Sequence, residues 1–156
     1  MYEYLHVTKP EGWNYVDNYE DKKTGFYAEA YQNKKGEVVM VVKGTDASQL
    51  YKPSGVVDFG KDFVINGLQM EFNKIPNQVE PAYKFCKKLQ QQYNKIILSG
   101  YSLGGSVVAI LGNDLNLETI TFEAYGVGEF IEPRYTENII NFGNENDPIF
   151  FLLIFI

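Results

Sequence analysis

A serine between glycines is the feature of this sequence whose residue types and spacing could do chemistry. Residues 100–104 read GYSLG, a G-x-S-x-G pattern centred on Ser102. Residues 95–99 predict a short strand before it, and the small and aliphatic residues 104–113 predict a helix after it. Such a turn holds a serine hydroxyl clear of its neighbours. The pattern predicts a serine nucleophile; the alternative is a glycine-rich turn with an idle serine.

The start of the predicted helix offers a second ingredient of serine hydrolase chemistry. The first N–H groups of a helix have no partner inside the helix, so they can hold the negative oxygen that forms when a hydroxyl attacks an ester. A serine at neutral pH also needs a base to take its proton, and that base needs an orienting acid. The rest of the sequence would have to supply both groups.

Four stretches of the sequence, in order, resemble the class 3 lipases, a branch of the α/β-hydrolase superfamily. VVKGTD at 41–46 is similar to that family's Arg-Gly-Thr strand, and GYSLGG at 100–105 is similar to its G-x-S-L-G-G turn. ITFEAYGVG at 120–128 is similar to its T-F-x-x-P-x-V-G segment, and NFGNENDPI at 141–149 is similar to its N-x-x-D-P-[VI] segment. Together they span about residues 25–149. Lys43 stands where the family usually has arginine, and Tyr125 where it often has proline.

The resemblance implies a role for each of four residues. Ser102 is the nucleophile, and Asp147 is the acid that orients a histidine. The backbone N–H groups of Leu103 and Thr45 form the oxyanion hole, with the Thr45 hydroxyl as a further donor. The segment 48–72 is then the lid or acyl-pocket region, although ordinary cover of the core accounts for it equally well.

Other interpretations of these positions stay open. Asp147 precedes Pro148 and is also consistent with an ordinary Asp-Pro turn. Thr45 is consistent with the plain end of a strand. Glu145 or Glu123 could be the acid in place of Asp147.

The base is the part of the mechanism for which the sequence offers no clear residue. In the family the histidine follows the acid, but this sequence has one histidine, His6, and ends soon after Asp147. Three hypotheses follow. The chain is a truncated or frameshifted form of a longer hydrolase; His6 reaches the site from the N-terminus or from a second subunit; or the fold serves as a non-catalytic module that binds a lipid, an acyl group or a protein.

The elements that would position these residues follow from hydrophobic periodicity. The pattern predicts a hairpin over 25–46 whose strand 38–42 is buried on both faces. It also predicts a helix over 80–93 and strands over 118–122 and 138–142. Before residue 25 it predicts mostly irregular structure, with a short helix near 14–19. Strands that alternate with helices favour a parallel sheet. The prediction is a single domain, residues 1–156, with an α/β-hydrolase-like fold: a mostly parallel central sheet with an N-terminal β-hairpin, incomplete at the C-terminus.

Composition and charge limit the partners. The 156 residues carry a net charge of −6, and basic residues are scattered, which argues against nucleic acid or an anionic membrane surface. No cluster of metal ligands and no phosphate-binding glycine pattern is evident, so we expect no metal or other cofactor. A small ester or lipid is the expected substrate.

The remaining expectations concern compartment and association. The single cysteine, Cys86, excludes an internal disulfide and suits a reducing compartment. With no secretory core and no apolar run of membrane-spanning length, the sequence predicts a cytoplasmic protein without a transmembrane segment. The apolar end IFFLLIFI, residues 149–156, could act as an unprotected edge strand, which predicts a homodimer paired through it.

Overall fold

The computed structural model describes residues 10–44, 75–128 and 131–143. These residues form a six-stranded sheet, two α-helices and a 3-10 turn at Thr136–Asn138. The strands are β1 (Trp13–Asp21), β2 (Phe26–Asn33), β3 (Val38–Val42), β4 (Ile96–Tyr101), β5 (Thr119–Phe122) and β6 (Ile139–Phe142). The helices are α1 (Val79–Gln90) and α2 (Leu103–Leu115).

The strands lie in the sheet in their order along the chain, from β1 to β6. The pairings β1–β2 and β2–β3 are antiparallel, and the pairings from β3 through β6 are parallel. This arrangement confirms the predicted parallel sheet with an N-terminal hairpin. The predicted helix before β4 and the three predicted strands from β4 onward are also confirmed, with bounds shifted by a few residues.

The N-terminal segment differs from its prediction. The short helix expected near residues 14–19 is wrong, because these residues lie in β1 and pair antiparallel with β2. A bulge between Tyr15 and Asp17 shifts the register and breaks the alternation that identifies a strand. β1 is held from two sides: Tyr15 contacts Tyr31 edge to face, with ring centroids 5.9 Å apart, and Asp17 forms a 2.7 Å ion pair with Lys88 of α1.

Both helices cover the same face of the sheet. Along the chain, β4 is added beside β3 and β5 beside β4, so the sheet grows in one direction. Right-handed crossovers that step in one direction place every connecting helix on the same face of the sheet. Accordingly Val38, Met40 and Val42 are buried, whereas Val41 is 38% exposed. The prediction that this strand is buried on both faces is therefore wrong.

The core lies between that face and the two helices. It is built from aliphatic and aromatic side chains of β2, β3 and β4 and of both helices: Phe26, Ala28, Ala30, Val38, Met40, Val42, Ala82, Phe85, Cys86, Leu89, Ile96, Leu98, Val107, Val108 and Leu111. Burial raises the pKa of the Cys86 thiol to about 11. A buried neutral thiol is a poor nucleophile, so Cys86 belongs to the core and not to a reactive site.

Neither helix in these ranges is long and apolar enough to cross a membrane, at 12 and 13 residues.

The start of α2 lies unusually close to β3 and β4. A Cβ atom added to Gly100 would lie 2.5 Å from the Gly104 carbonyl carbon and 2.7 Å from the Gly105 nitrogen. A Cβ atom on Gly104 would lie 2.8 Å from the Lys43 carbonyl oxygen. These contacts are with backbone atoms, which cannot move aside as a side chain can. The close approach therefore requires glycine at both positions.

Substitution of Gly100 by alanine should lower the free energy of unfolding by about 1–3 kcal/mol beyond the effect of a glycine replaced in open space, because the new methyl group meets backbone. Urea denaturation measures this. Gly36→Ala is the matched control: its site has positive φ and no atom near the added Cβ, so only the backbone conformation, about 1 kcal/mol, is affected. Equal losses for both variants would contradict the close approach.

Cys86 should react with a thiol reagent such as Ellman's reagent roughly 10²-fold more slowly in the native protein than in urea at pH 8, because the raised pKa leaves little thiolate. The native rate should climb as the pH approaches 11. Comparable rates in buffer and in urea would show that α1 does not bury this side chain.

Candidate active site

Ser102 lies in the turn between β4 and α2, at the carboxyl end of a central strand. Its backbone angles, φ 51° and ψ −124°, are in a region that L-residues rarely adopt. The Ser102 N–H donates to the Phe122 carbonyl oxygen of β5 at 2.9 Å, and the Ser102 carbonyl oxygen accepts from the Ser106 N–H at 3.1 Å. The predicted strand, sharp turn and helix around this serine are confirmed.

The Ser102 side chain does not behave as a helix cap. Serine at the first position of a helix normally accepts a hydrogen bond from the N–H groups that follow, but Ser102 makes no such bond. Leu103 begins α2, and its side chain is 7% exposed, which anchors the first turn in the core. No acidic residue lies in that turn. The N–H groups and the positive end of the helix dipole are thus not neutralised by a side chain of the turn.

The end of β3 also packs against the turn. A Cβ atom on Gly44 would lie 2.6 Å from the Tyr101 carbonyl oxygen and 3.5 Å from the Ser102 Cβ. Gly44 therefore brings the chain that follows β3 to the nucleophile turn. The next residue, Thr45, lies outside the described residues, so its oxyanion role stays a prediction.

The turn after β5 carries a second strained residue, Glu123. Its φ is 50°, and its N–H donates to the Phe142 carbonyl oxygen at 2.8 Å. One of its carboxylate oxygens, Oε2, is buried and has no hydrogen-bond partner among the residues described. An unpaired buried acceptor of this kind is rare in a folded protein and calls for a donor.

Two polar side chains, the half-buried Asn141 and the buried Ser106, hold this turn in place. The Asn141 Oδ1 accepts from the Thr121 hydroxyl at 2.8 Å and from the Ala124 N–H at 3.3 Å, and its Nδ2 donates to the Ala124 carbonyl oxygen at 3.1 Å. From the helix side, the Ser106 hydroxyl donates to the Tyr125 carbonyl oxygen at 2.9 Å. Sequence reasoning missed both roles; the one available signal was Ser106, a polar residue at a buried position of the helix.

Three aromatic side chains form an exposed row beside the site, and we call Tyr101, Phe122 and Phe142 the aromatic row. They are register partners at the ends of β4, β5 and β6 and are 57%, 45% and 54% exposed. The rings of Phe122 and Phe142 stack, with centroids 5.5 Å apart. Adjacent exposed aromatic side chains of this size are typical of binding surfaces.

The remaining predicted site residues lie outside the described residues. They are His6, Thr45, Glu145, Asp147 and the segment 48–72. Their roles stay predictions. Of the predicted set, the structure therefore brings together Ser102, Leu103 and Glu123 at one edge of the sheet.

No group of three or more histidine, cysteine, aspartate or glutamate side chains within the described parts of the chain could hold a metal ion. The arrangement offers a hydroxyl, free N–H groups at a helix start and a carboxylate. This set fits nucleophilic attack on a carbonyl group, provided that a base is present.

Comparison with solved structures confirms the fold. The structure of a fungal lipase–inhibitor complex superimposes with a TM-score of 0.50 and 13% sequence identity, covering 89% of this chain and 60% of that chain. At that identity the likeness concerns the fold alone. The predicted α/β-hydrolase-like fold is confirmed.

Comparison with curated sequences finds relatives that are named as putative lipases. Proteins named "Putative lipase ATG15" from Candida glabrata and Pichia angusta are 31% and 30% identical to this chain over 99 residues. Each match covers 54% of this chain and 19% or 18% of the relative, so the matched part spans about a fifth of the relatives' length.

A protein family is matched over a larger part of the sequence. The family profile described as Mbeg1-like matches residues 10–116, which include the hairpin, β4, the Ser102 turn and all of α2. The match covers more than half of the chain. The chain therefore belongs to the Mbeg1-like family.

Proposed function

We propose that this chain is a lipase-like serine ester hydrolase in which Ser102 is the nucleophile. The observation that carries the proposal is the strained Ser102 backbone at the start of α2, with a hydroxyl that does not cap the helix. The lipase relatives and the lipase-like fold support the reaction class. The finer assignment to the class 3 lipases rests on the four sequence stretches and is part of this proposal.

The reaction proceeds through an acyl-enzyme. A base takes the Ser102 proton while the oxygen attacks the ester carbonyl, and the Leu103 and Thr45 N–H groups hold the resulting oxyanion. Collapse of this intermediate expels the alcohol, which takes the proton from the base. Water then attacks the acyl-serine in the same way, releasing the acid and restoring the Ser102 hydroxyl. His6, the one histidine of the sequence, is the candidate base, and Asp147 is the acid that the resemblance implies.

The aromatic row favours esters with an apolar acyl group. Tyr101 directly precedes Ser102 in the chain, and the Phe122 carbonyl oxygen accepts from the Ser102 N–H, so the backbones of both residues adjoin Ser102. Covering these exposed rings with an acyl chain would remove apolar surface from water. The row therefore serves as the surface on which the chain of the substrate rests.

A non-catalytic binding module is the second candidate. The sequence has one histidine, and a serine without a base attacks esters slowly. The same aromatic row would then hold a lipid or an acyl group without cleaving it. Turnover separates the two functions.

The chain should hydrolyse p-nitrophenyl butyrate, and Ser102→Ala should reduce kcat by at least about 10³-fold because it removes the nucleophile. Ser99→Ala, on the same strand but before the turn, is the matched control and should keep the wild-type rate. A parallel loss in His6→Ala would assign the base to His6. If the wild-type chain, Ser102→Ala and the buffer blank all agree, the hydrolase proposal fails and the binding module is favoured.

Phe122→Ala should lower kcat/KM for p-nitrophenyl octanoate by about 10-fold while changing the acetate ester little, because a short acyl group does not reach the ring. Tyr15→Ala is the control, an exposed aromatic side chain on β1 that lies away from the site and should affect neither ester. A loss that is equal for both esters would contradict the role of the aromatic row.

A further inference from the structure

Three residues other than glycine have positive φ among those described, and one of them lacks an ordinary reason. They are Ser102, Asn116 and Glu123. Asn116 ends α2 in the left-handed conformation, where asparagine is common. Ser102 is strained by the nucleophile turn. A glutamate gains nothing locally from φ 50°, so its presence there points to a use of the side chain.

Glu123 lies beside Ser102 in the sheet. Tyr101 and Phe122 are register partners in the parallel pair β4–β5, so the residues that follow them, Ser102 and Glu123, leave neighbouring strands side by side. Neighbouring strands are about 4.8 Å apart. The hydrogen bond from the Ser102 N–H to Phe122 keeps the two turns in contact just beyond the strands.

The Glu123 carboxylate is not needed to shape its own turn. Asn141 makes three hydrogen bonds to Thr121 and Ala124, the Glu123 N–H bonds to Phe142, and Ser106 holds Tyr125. These bonds use backbone atoms and other side chains. The buried Oε2 atom of Glu123 remains without a donor among the described residues. A carboxylate oxygen that is buried, unpaired and next to a nucleophile is suited to hold the N–H of a base.

We propose that Glu123 is the carboxylate that orients the base of Ser102, in the position that the resemblance gives to Asp147. Glu123 is a positioning residue: its Oε2 accepts a hydrogen bond from the base that takes the Ser102 proton. The acid then follows β5, the strand next to the nucleophile strand, and not β6. This inference rests on the proposed function, because an orienting carboxylate has a role only if Ser102 is activated.

The test is the rate at which a fluorophosphonate modifies Ser102 in the full 156-residue chain, followed by intact mass and by mapping of the labelled peptide. Glu123→Gln keeps the size of the side chain but loses its charge, and it should slow labelling by roughly 10²- to 10⁴-fold. Glu123→Asp keeps the charge and should recover much of that loss. Glu118→Gln, an exposed glutamate just before β5, is the matched control and should label at the wild-type rate.

A fourth variant separates function from structure. Glycine tolerates positive φ, so Glu123→Gly should keep a Tm at least equal to that of the wild-type chain while labelling as slowly as Glu123→Gln. If Glu123→Gln and Glu123→Gly label at the wild-type rate, Glu123 is not the orienting carboxylate, and the hydrolase proposal stands without it. If the wild-type chain labels no faster than Ser102→Ala, the hydrolase proposal fails and this inference is rejected with it.

Discussion

The close approach of α2 to β3 and β4 is the constraint on which the rest of the site depends. Because Gly100 and Gly104 have no side chains, the helix starts directly against the backbone of two strands. The chain can then reverse within the single residue Ser102, whose unusual φ and ψ are imposed by the elements on both sides. Strain of this kind persists only where the surrounding structure fixes it, and it leaves the hydroxyl free of the helix it precedes.

The topology explains why the functional groups collect at one edge of the sheet. Four parallel strands end on the same side, so the residues that follow β3, β4, β5 and β6 lie at the same end of the sheet, Ser102 and Glu123 among them. Since the crossovers place both helices on one face, the opposite face is left to exposed side chains such as Val41 and the aromatic row. The same geometric rule thus produces a polar reaction centre and an apolar surface next to each other.

Local sequence patterns predict much of the fold and the nucleophile turn, but they do not predict every element or contact. The G-x-S-x-G turn and the short apolar strands β4 to β6 are encoded within a few residues, and their prediction is confirmed. β1 was missed because its bulge at Tyr15 and Asp17 destroys the alternation, and the open face of β3 was missed because it depends on the direction of crossovers elsewhere. The contacts of Ser106 and Asn141 join segments far apart in sequence, which no periodicity reports.

The central claim is that the strained turn presents Ser102 as a nucleophile with the helix N–H groups behind it. A crystal structure of the chain after reaction with a phosphonate ester tests it most directly. The account predicts a covalent bond from phosphorus to the Ser102 Oγ, with the phosphoryl oxygen about 3 Å from the Leu103 N–H nitrogen. Phosphorus bonded to another side chain, or a Ser102 adduct whose oxygen points away from α2, would contradict it.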